Sequence, residues 1–347
     1  MGKIRRSLGE GGLESPARPT LEPSGQGQAN SLKRMSRQRA REDRDSTAIH
    51  QRAKRRRGIP KASARLLLSA LLVAVGYSTL VEPGLMRVTE HEVRISGLPS
   101  AFDGLKIVQL SDLHVDIWTR PKHVRRIVRR VNTMRPDVIV LTGDYVSRTE
   151  ANIGPAGDAL AGLKSKYGAY AVLGNHDYWT DAKLMARALR ESGIDVLFDE
   201  KRRISIGRSS IWLVGFDDEW EGNPDYEKAL NGISSNDICI AIAHNPDAVL
   251  SLDGRPVNLL LTGHTHGGLI NIPGVGPLWS TTKLGPKYSS GLFRFGDTRM
   301  YVCRGIGTGT GYHIRFRCLP EISVFTLRRA EPSGRIPPSC FGKGPEG

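Results

Sequence analysis

The sequence predicts a layered α/β domain with buried strands, preceded by one apolar helix and a basic tail. Three observations carry that expectation. Short apolar runs rich in β-branched residues recur between segments of helical periodicity. One run of 16 residues, 66–81, holds no charge. The charge of this +15 chain is concentrated before that run: residues 1–65 hold 17 Lys+Arg against 6 Asp+Glu, net +11, and the remaining 282 hold 33 against 29, net +4.

Taken in order, residues 1–61 are rich in Gly, Pro, Ser, Gln and Arg and nearly free of aromatics. Such a composition buries too little apolar surface to offset chain ordering, and the segment is expected to be disordered. Residues 62–82 follow as a transmembrane anchor or an uncleaved export signal. The uncharged run 66–81 spans roughly 24 Å as a helix, and Arg65 and the preceding alanines extend it toward a ~30 Å hydrocarbon core. Arg55, Arg56, Arg57 and Lys61 stand just before it, which places the N-terminus in the cytoplasm and the following body on the extracytoplasmic face of the inner membrane. The pair Arg56-Arg57 loosely resembles a twin-arginine export signal, with Pro60 a departure from that pattern.

The body, 83–328, carries strand-like runs at Leu105–Leu110, Val138–Leu141, Ala169–Leu173, Ser210–Val214, Ile238–Ala243 and Val257–Leu261, then at Gly291–Phe295, Arg299–Cys303 and Glu321–Leu327. Helical patterns at Pro121–Met134, Ala156–Lys164 and Asp181–Ser192 lie between them. Residues 329–347 are Pro/Gly-rich and read as a loose tail. A near-neutral body gives little sign of a basic nucleic-acid surface, and no specific nucleic-acid binding is expected. The basic tail beside an apolar span is a topology signal or a contact for anionic lipid. The four cysteines form no CxxC motif and no Cys–His zinc spacing. Cys239, inside Ile238–Ala243, reads as a buried free thiol. Pairing of Cys303 with Cys318 is left open by the sequence.

Five of the strand-like runs end in residues of the metal-ligand kind. They run into Ser111-Asp112-Leu113-His114, Thr142-Gly143-Asp144, Gly174-Asn175-His176-Asp177, His244-Asn245 and Gly263-His264-Thr265-His266-Gly267. Five of the nine histidines fall in these segments. Each motif alone has an ordinary explanation as a turn, a helix cap or a core histidine. Five in order, each after its own strand, point to a shared site at the strand ends. The donors are imidazole, carboxylate and amide oxygen without thiolate, a set that suits Mn, Fe or Zn better than Ca or Cu(I).

This ordered set resembles the signature of the calcineurin-like metallophosphoesterases. The likeness covers about Leu105 to Leu327 and is nearest to a bacterial membrane-anchored branch, whose late segments resemble Gly291-Leu292-Phe293, Arg304-Gly305-Ile306-Gly307 and Pro320-Glu321-Ile322 here. The resemblance implies a four-layer αββα sandwich of two mixed sheets flanked by helices. It implies a dinuclear centre in which Asp112, His114 and His266 hold one ion, Asn175, His244 and His264 hold the other, and Asp144 bridges. It implies that His176 stabilises charge or donates a proton to the leaving oxygen, with Asp177 orienting it. Leu269 departs from the branch, which usually has Gln there. His313 and Arg315, beyond the glycine-rich stretch that starts at Gly305, are candidates for contact with substrate phosphate, against a plain reading as surface-loop residues.

The expected function is hydrolysis of a phosphate ester, lipid-linked or of the cell envelope, by metal-activated hydroxide. Some relatives of the branch hydrolyse the pyrophosphate of UDP-2,3-diacylglucosamine in lipid A synthesis. That substrate is cytoplasmic, in conflict with the topology inferred from charge. A catalytically inactive, receptor-like module is the remaining alternative. The intact ligand set weighs against it, because buried charged ligands without metal are costly.

Overall fold

The structure, a computed structural model, describes residues 25–54, 61–309, 311 and 313–330. The twin-arginine motif, Cys340 and nearly all of the 329–347 tail lie outside the described residues. The chain divides into two compact units, Met1–Ser69 and Ala70–Gly347.

In the first unit, part of the segment expected to be disordered is helical: α1 spans Gly25–Lys54. Its described side chains are exposed throughout. The physical reason is local, because Arg, Lys, Gln and Ala lose little rotamer freedom in a helix and need no burial to form one. The apolar run begins in α2 (Lys61–Gly76) and continues through short helical turns, so that Ala62–Gly84 is long and apolar enough to cross a membrane.

In chain order the body then contains β1 (Arg87–Ile95), β2 (Lys106–Leu110), α3 (Pro121–Thr133), β3 (Val138–Thr142), α4 (Ile153–Leu160), β4 (Ala169–Val172), α5 (Asn175–Thr180), α6 (Ala182–Glu191) and β5 (Asp195–Val196). It continues with β6 (Glu200–Ile206), β7 (Ser209–Gly215), α7 (Tyr226–Leu230), β8 (Cys239–Ile242), β9 (Leu259–Thr262), β10 (Asn271–Ile272), β11 (Gly276–Pro277), β12 (Gly291–Phe295), β13 (Thr298–Val302) and β14 (Glu321–Arg329). Twelve strands form two six-stranded sheets, β1-β14-β2-β3-β4-β5 and β12-β13-β9-β8-β7-β6. β2, β3 and β4 are mutually parallel, as are β7, β8 and β9.

Period-two alternation stacks the layers. On β2 and β3, Ile107, Val138 and Val140 enter the core between the sheets, while Val108, Leu110, Ile139 and Leu141 pack outward with residues of α3, α4 and α6. On β8, Ile240 and Ile242 face the other sheet, while Cys239 and Ala241 face outward to Ala229 and Leu230 of α7. The result is a four-layer αββα sandwich of two mixed sheets. Burial pushes the Cys239 thiol up to about 12, in keeping with an inert core residue.

The expected strands are present within a few residues of their ends. The strands without a sequence expectation are β1, β5 and β6, together with the short β10–β11 pair. β1 and β5 are the two edges of the first sheet and β6 is an edge of the second. Edge strands carry charge and leave one side open, so apolar runs reveal the central strands and pass over these.

Glu321, at the start of β14, is fully buried. It pairs with Arg304 at 2.9 Å and accepts from Tyr301, Thr89 (3.0 Å) and Ser323 (2.6 Å). Removing it leaves Arg304 unpaired in a largely buried position. Glu321→Ala is expected to cost about 3–5 kcal/mol, about 10 °C in Tm, in thermal unfolding of the detergent-solubilised chain. An unchanged Tm would show that the pair contributes nothing to the fold.

Candidate metal centre

The carboxyl ends of β2, β3 and β4 in one sheet meet those of β8 and β9 in the other, because both strand sets are parallel and aligned. A buried side chain joins the two sheets under this edge: Gln109 donates to Thr142 Oγ1 and to the Thr262 carbonyl, each at 2.9 Å. His244 makes a second crossing, donating from Nδ1 to the Thr142 carbonyl at 2.7 Å.

Above this floor the loops turn sharply. Asp112, His114, Asp144, His264 and His266 have φ of 52°, 47°, 57°, 70° and 51°. Non-glycine residues in this left-handed region cost about 1–3 kcal/mol each and persist where the surroundings fix them. Here five such residues turn their side chains toward the same edge of the sandwich. The backbone must also be thin. A Cβ on Gly143 would meet His244 Nδ1 at 2.6 Å, and one on Gly309 would meet the Nε2 atoms of His266 and His114 at 2.6 and 2.7 Å.

The side chains form two clusters around one carboxylate. Asp144 Oδ2 lies 3.3 Å from His114 Nε2 and 3.3 Å from His244 Nε2. On the first side, His266 Nε2 stands 3.1 Å from His114 Nε2 and 3.5 Å from Asp112 Oδ1. Ligand atoms of Asp112, His114, Asp144 and His266 all lie within 4.8 Å of one another. On the second side, His244 Nε2 stands 3.2 Å from Asn175 Oδ1 and 3.1 Å from His264 Nδ1. The structure thus brings the seven expected residues together, with Asp112, His114 and His266 on one side of Asp144 and Asn175, His244 and His264 on the other.

Electrostatics fit cations at these points. Burial pushes Asp144 up, but the His244 and His114 imidazoles outweigh it and hold the carboxyl well below its usual range. Burial lowers His114 and His244, and Asp144 beside them raises both above the ordinary value. Burial and then His244 push His264 down to about 3, and burial and then His114 hold His266 well below the usual value. The carboxylate thus favours positive charge on both sides of it, where ions would sit. Nitrogen pairs about 3 Å apart match two ligands on one ion with bonds near 2.1 Å. His114 Nδ1 and His264 Nε2, the ring nitrogens turned away from the clusters, are buried without hydrogen-bond partners.

Around the clusters, His176 donates its backbone N–H to Asp144 Oδ1 at 2.9 Å. Its Nδ1 is tied to the Ser147 carbonyl at 2.7 Å, and its ring stands edge-on to His114 at 4.7 Å. The expectation that Asp177 orients His176 is corrected. The Asp177 carboxylate accepts backbone N–H groups of Gly174, Asp144 and Tyr145, each at 2.9 Å, and so locks two ligand-bearing turns together. The nearest ring acceptor for His176 is a carbonyl two residues beyond Tyr145.

Arg315 is also corrected. It is wholly buried, and its guanidinium donates to the carbonyls of Cys318 (3.1 Å), Arg304 (3.0 Å), Gly305 (3.2 Å) and Gly307. It holds the loop whose Gly307 carbonyl accepts from His266 Nδ1 at 3.2 Å, and it does not face substrate. His313 is half-buried and stacks on Trp118, with ring centroids 4.8 Å apart. Cys303 and Cys318 are free buried thiols, Cys318 Sγ donating to the His266 carbonyl at 3.2 Å. Leu269, with φ 54°, offers no polar side-chain atom toward the site.

The sequence reading missed Gln109, Gly309 and three tryptophans that touch site histidines or their neighbours: Trp118 on His313, Trp179 on His176 and Trp220 on His264. A Gln inside the apolar run of β2 was the available signal for the first.

A fold of this kind, with carboxylate and imidazole converging on paired positions at the strand ends, defines a metal-dependent phosphoesterase. Residues 105–268 match the model of the calcineurin-like phosphoesterase family. The chain is 36% identical to the uncharacterized metallophosphoesterase YkuE of Bacillus subtilis, over 73% of this chain and 89% of that one. It is 30% identical to the phosphodiesterase YaeI of Escherichia coli, over 79% of this chain and 98% of that one. It is 28% identical to the UDP-2,3-diacylglucosamine pyrophosphatase LpxG of Chlamydia trachomatis, over 76% of this chain and 95% of that one. The chain belongs to the calcineurin-like phosphoesterase family; it is a hydrolase with a divalent-metal site.

Asp144→Asn is expected to lower the metal bound per chain relative to wild type, read by elemental analysis after loading with Mn. Metal retained at the wild-type level in the variant would remove Asp144 from the centre.

Proposed function

We propose that the chain hydrolyses a phosphate ester of the membrane or cell envelope at a dinuclear centre. Asp112, His114 and His266 would hold one ion and Asn175, His244 and His264 the other, with Asp144 shared. The observation that carries this reading is the single oxygen, Asp144 Oδ2, placed 3.3 Å from one imidazole of each cluster. Bound Mn, Fe or Zn ions would supply Lewis acidity toward phosphate and lower the pKa of a water so that it attacks as hydroxide.

The chain's own residues do the rest. Ser147 fixes the His176 ring through Nδ1, which leaves Nε2 free beside the centre to hold or deliver a proton at the leaving oxygen. Asp177 acts one step back, by holding the Gly143-Asp144 and Gly174-Asn175 turns at fixed separation. His313, stacked on Trp118 at the rim, is the remaining candidate for contact with the substrate phosphate.

His176→Ala is expected to keep its metal and lose roughly 10²–10⁴ in kcat, the scale of general acid–base help. The loss should shrink for p-nitrophenyl esters, whose leaving group needs no proton. Loss of metal would make His176 a ligand instead.

The helix Ala62–Gly84 and the +11 charge of residues 1–65 support a single-pass anchor with a cytoplasmic N-terminus and an extracytoplasmic body. The identity to LpxG favours a second reading, UDP-2,3-diacylglucosamine pyrophosphatase activity. Labelling of a Ser235→Cys, Cys340→Ser chain by a membrane-impermeant maleimide separates the two. Ser235 is exposed and the described native cysteines are buried. Labelling of intact spheroplasts is expected; protection until lysis would reverse the topology and favour the second reading.

A further inference from the structure

The end of the apolar helix is built into the body beside the metal centre. Ser78 and Glu82 are buried. The Arg315 N–H donates to the Ser78 carbonyl at 2.9 Å, and the Cys318 N–H donates to Glu82 Oε1 at 2.5 Å. The same short segment reaches the site from its other side. Arg315 grips the carbonyls of the Arg304–Gly307 loop, and Cys318 Sγ bonds the His266 carbonyl. The helix end is therefore two residues' contacts away from a metal-site histidine.

The β10–β11 hairpin grows from that junction. It follows the His266-Gly267-Gly268 turn within three residues, and its start is sewn to Phe316: Asn271 N–H donates to the Phe316 carbonyl at 2.9 Å and Phe316 N–H to the Leu269 carbonyl at 2.8 Å. Its tip and outgoing arm expose Val275 (72%), Leu278 (60%) and Trp279 (69%). Beside the junction the helix end exposes Leu80 (83%), Val81 and Leu85. Arg317, one residue from Phe316, is exposed and has no ion-pair partner among the described residues. Large apolar side chains exposed on segments tied to one strand of chain, 315–318, with a tryptophan and a cation, are the composition of a surface that sits at the headgroup level of a bilayer.

We propose that the β10–β11 hairpin docks into the interfacial layer of the bilayer that the apolar helix enters, so that the metal centre opens at headgroup level and takes an amphipathic phosphoester held in that membrane. The occupant is the bilayer because the exposed residues flank the end of the apolar, span-length helix Ala62–Gly84 and share its anchoring segment. The proposal rests on the membrane-anchored phosphoesterase reading and names the physical state of its substrate. It also gives Arg315, Cys318 and Glu82 one role in common, that of fixing the height of the site above the span.

The test uses the full chain in phosphatidylcholine vesicles with brominated acyl chains, which quench tryptophan on contact. Wild type is expected to lose more fluorescence than Trp279→Phe, the difference being the Trp279 contribution. Equal quenching of the two would overturn docking, whatever the activity. A second measurement compares Leu278→Glu/Trp279→Glu with wild type on a water-soluble bis-p-nitrophenyl phosphate and on a fluorescent phosphodiester lipid embedded in vesicles. The soluble rate should hold within about twofold while the vesicle rate falls about tenfold. Equal changes on both substrates would overturn the proposal. A wild-type chain inactive on every phosphoester after metal loading would instead contradict the phosphoesterase reading, and the quenching result would stand by itself.

Discussion

One oxygen atom, Oδ2 of Asp144, lies 3.3 Å from His114 on one side and 3.3 Å from His244 on the other. A buried carboxylate in that position is unfavourable unless positive charge stands on both sides of it. Much of the surrounding architecture serves that arrangement. Two parallel strand sets must end at the same edge, so that ligands from different sheets can meet. Gln109 and His244 tie the sheets together directly beneath them. Five ligand residues accept left-handed backbone, and glycines at 143 and 309 stand where any side chain would strike an imidazole. Strain of this kind costs stability locally and is held by the three cores of the sandwich.

Support for the centre comes in rings. Asp177 is wholly buried and spends its carboxylate on four backbone N–H groups. Arg315, equally buried, spends its guanidinium on loop carbonyls. Both side chains look like chemistry in the sequence and act as clamps in the structure. Glu321 extends the same pattern, joining β14 to the loop that Arg315 grips. Residues far apart in sequence thus hold one loop, Arg304–Gly307, against His266. Trp118, Trp179 and Trp220 add aromatic walls around the site histidines.

The central strands and the seven residues that converge at the strand ends were legible because both follow local rules. A buried strand is a short apolar run, and a ligand at its carboxyl end breaks that run with His, Asp or Asn. Edge strands β1, β5 and β6 were not legible, since a strand open on one side mixes charge into its pattern. α1 was missed because helix formation without burial leaves no apolar stripe. The errors at Asp177 and Arg315 share a cause. Composition shows that a charged residue lies near a motif, but whether it points at the site or at the backbone is settled by tertiary packing.

The central claim is that Asp144 joins two metal positions into one centre. Electron paramagnetic resonance of the Mn-loaded chain tests it most directly. Two Mn ions about 3.5–4 Å apart and bridged by one carboxylate are magnetically coupled, and the spectrum of wild type should be that of a coupled pair, collapsing to isolated ions or to none in Asp144→Asn. A wild-type spectrum of isolated, uncoupled Mn at full metal loading would contradict the account.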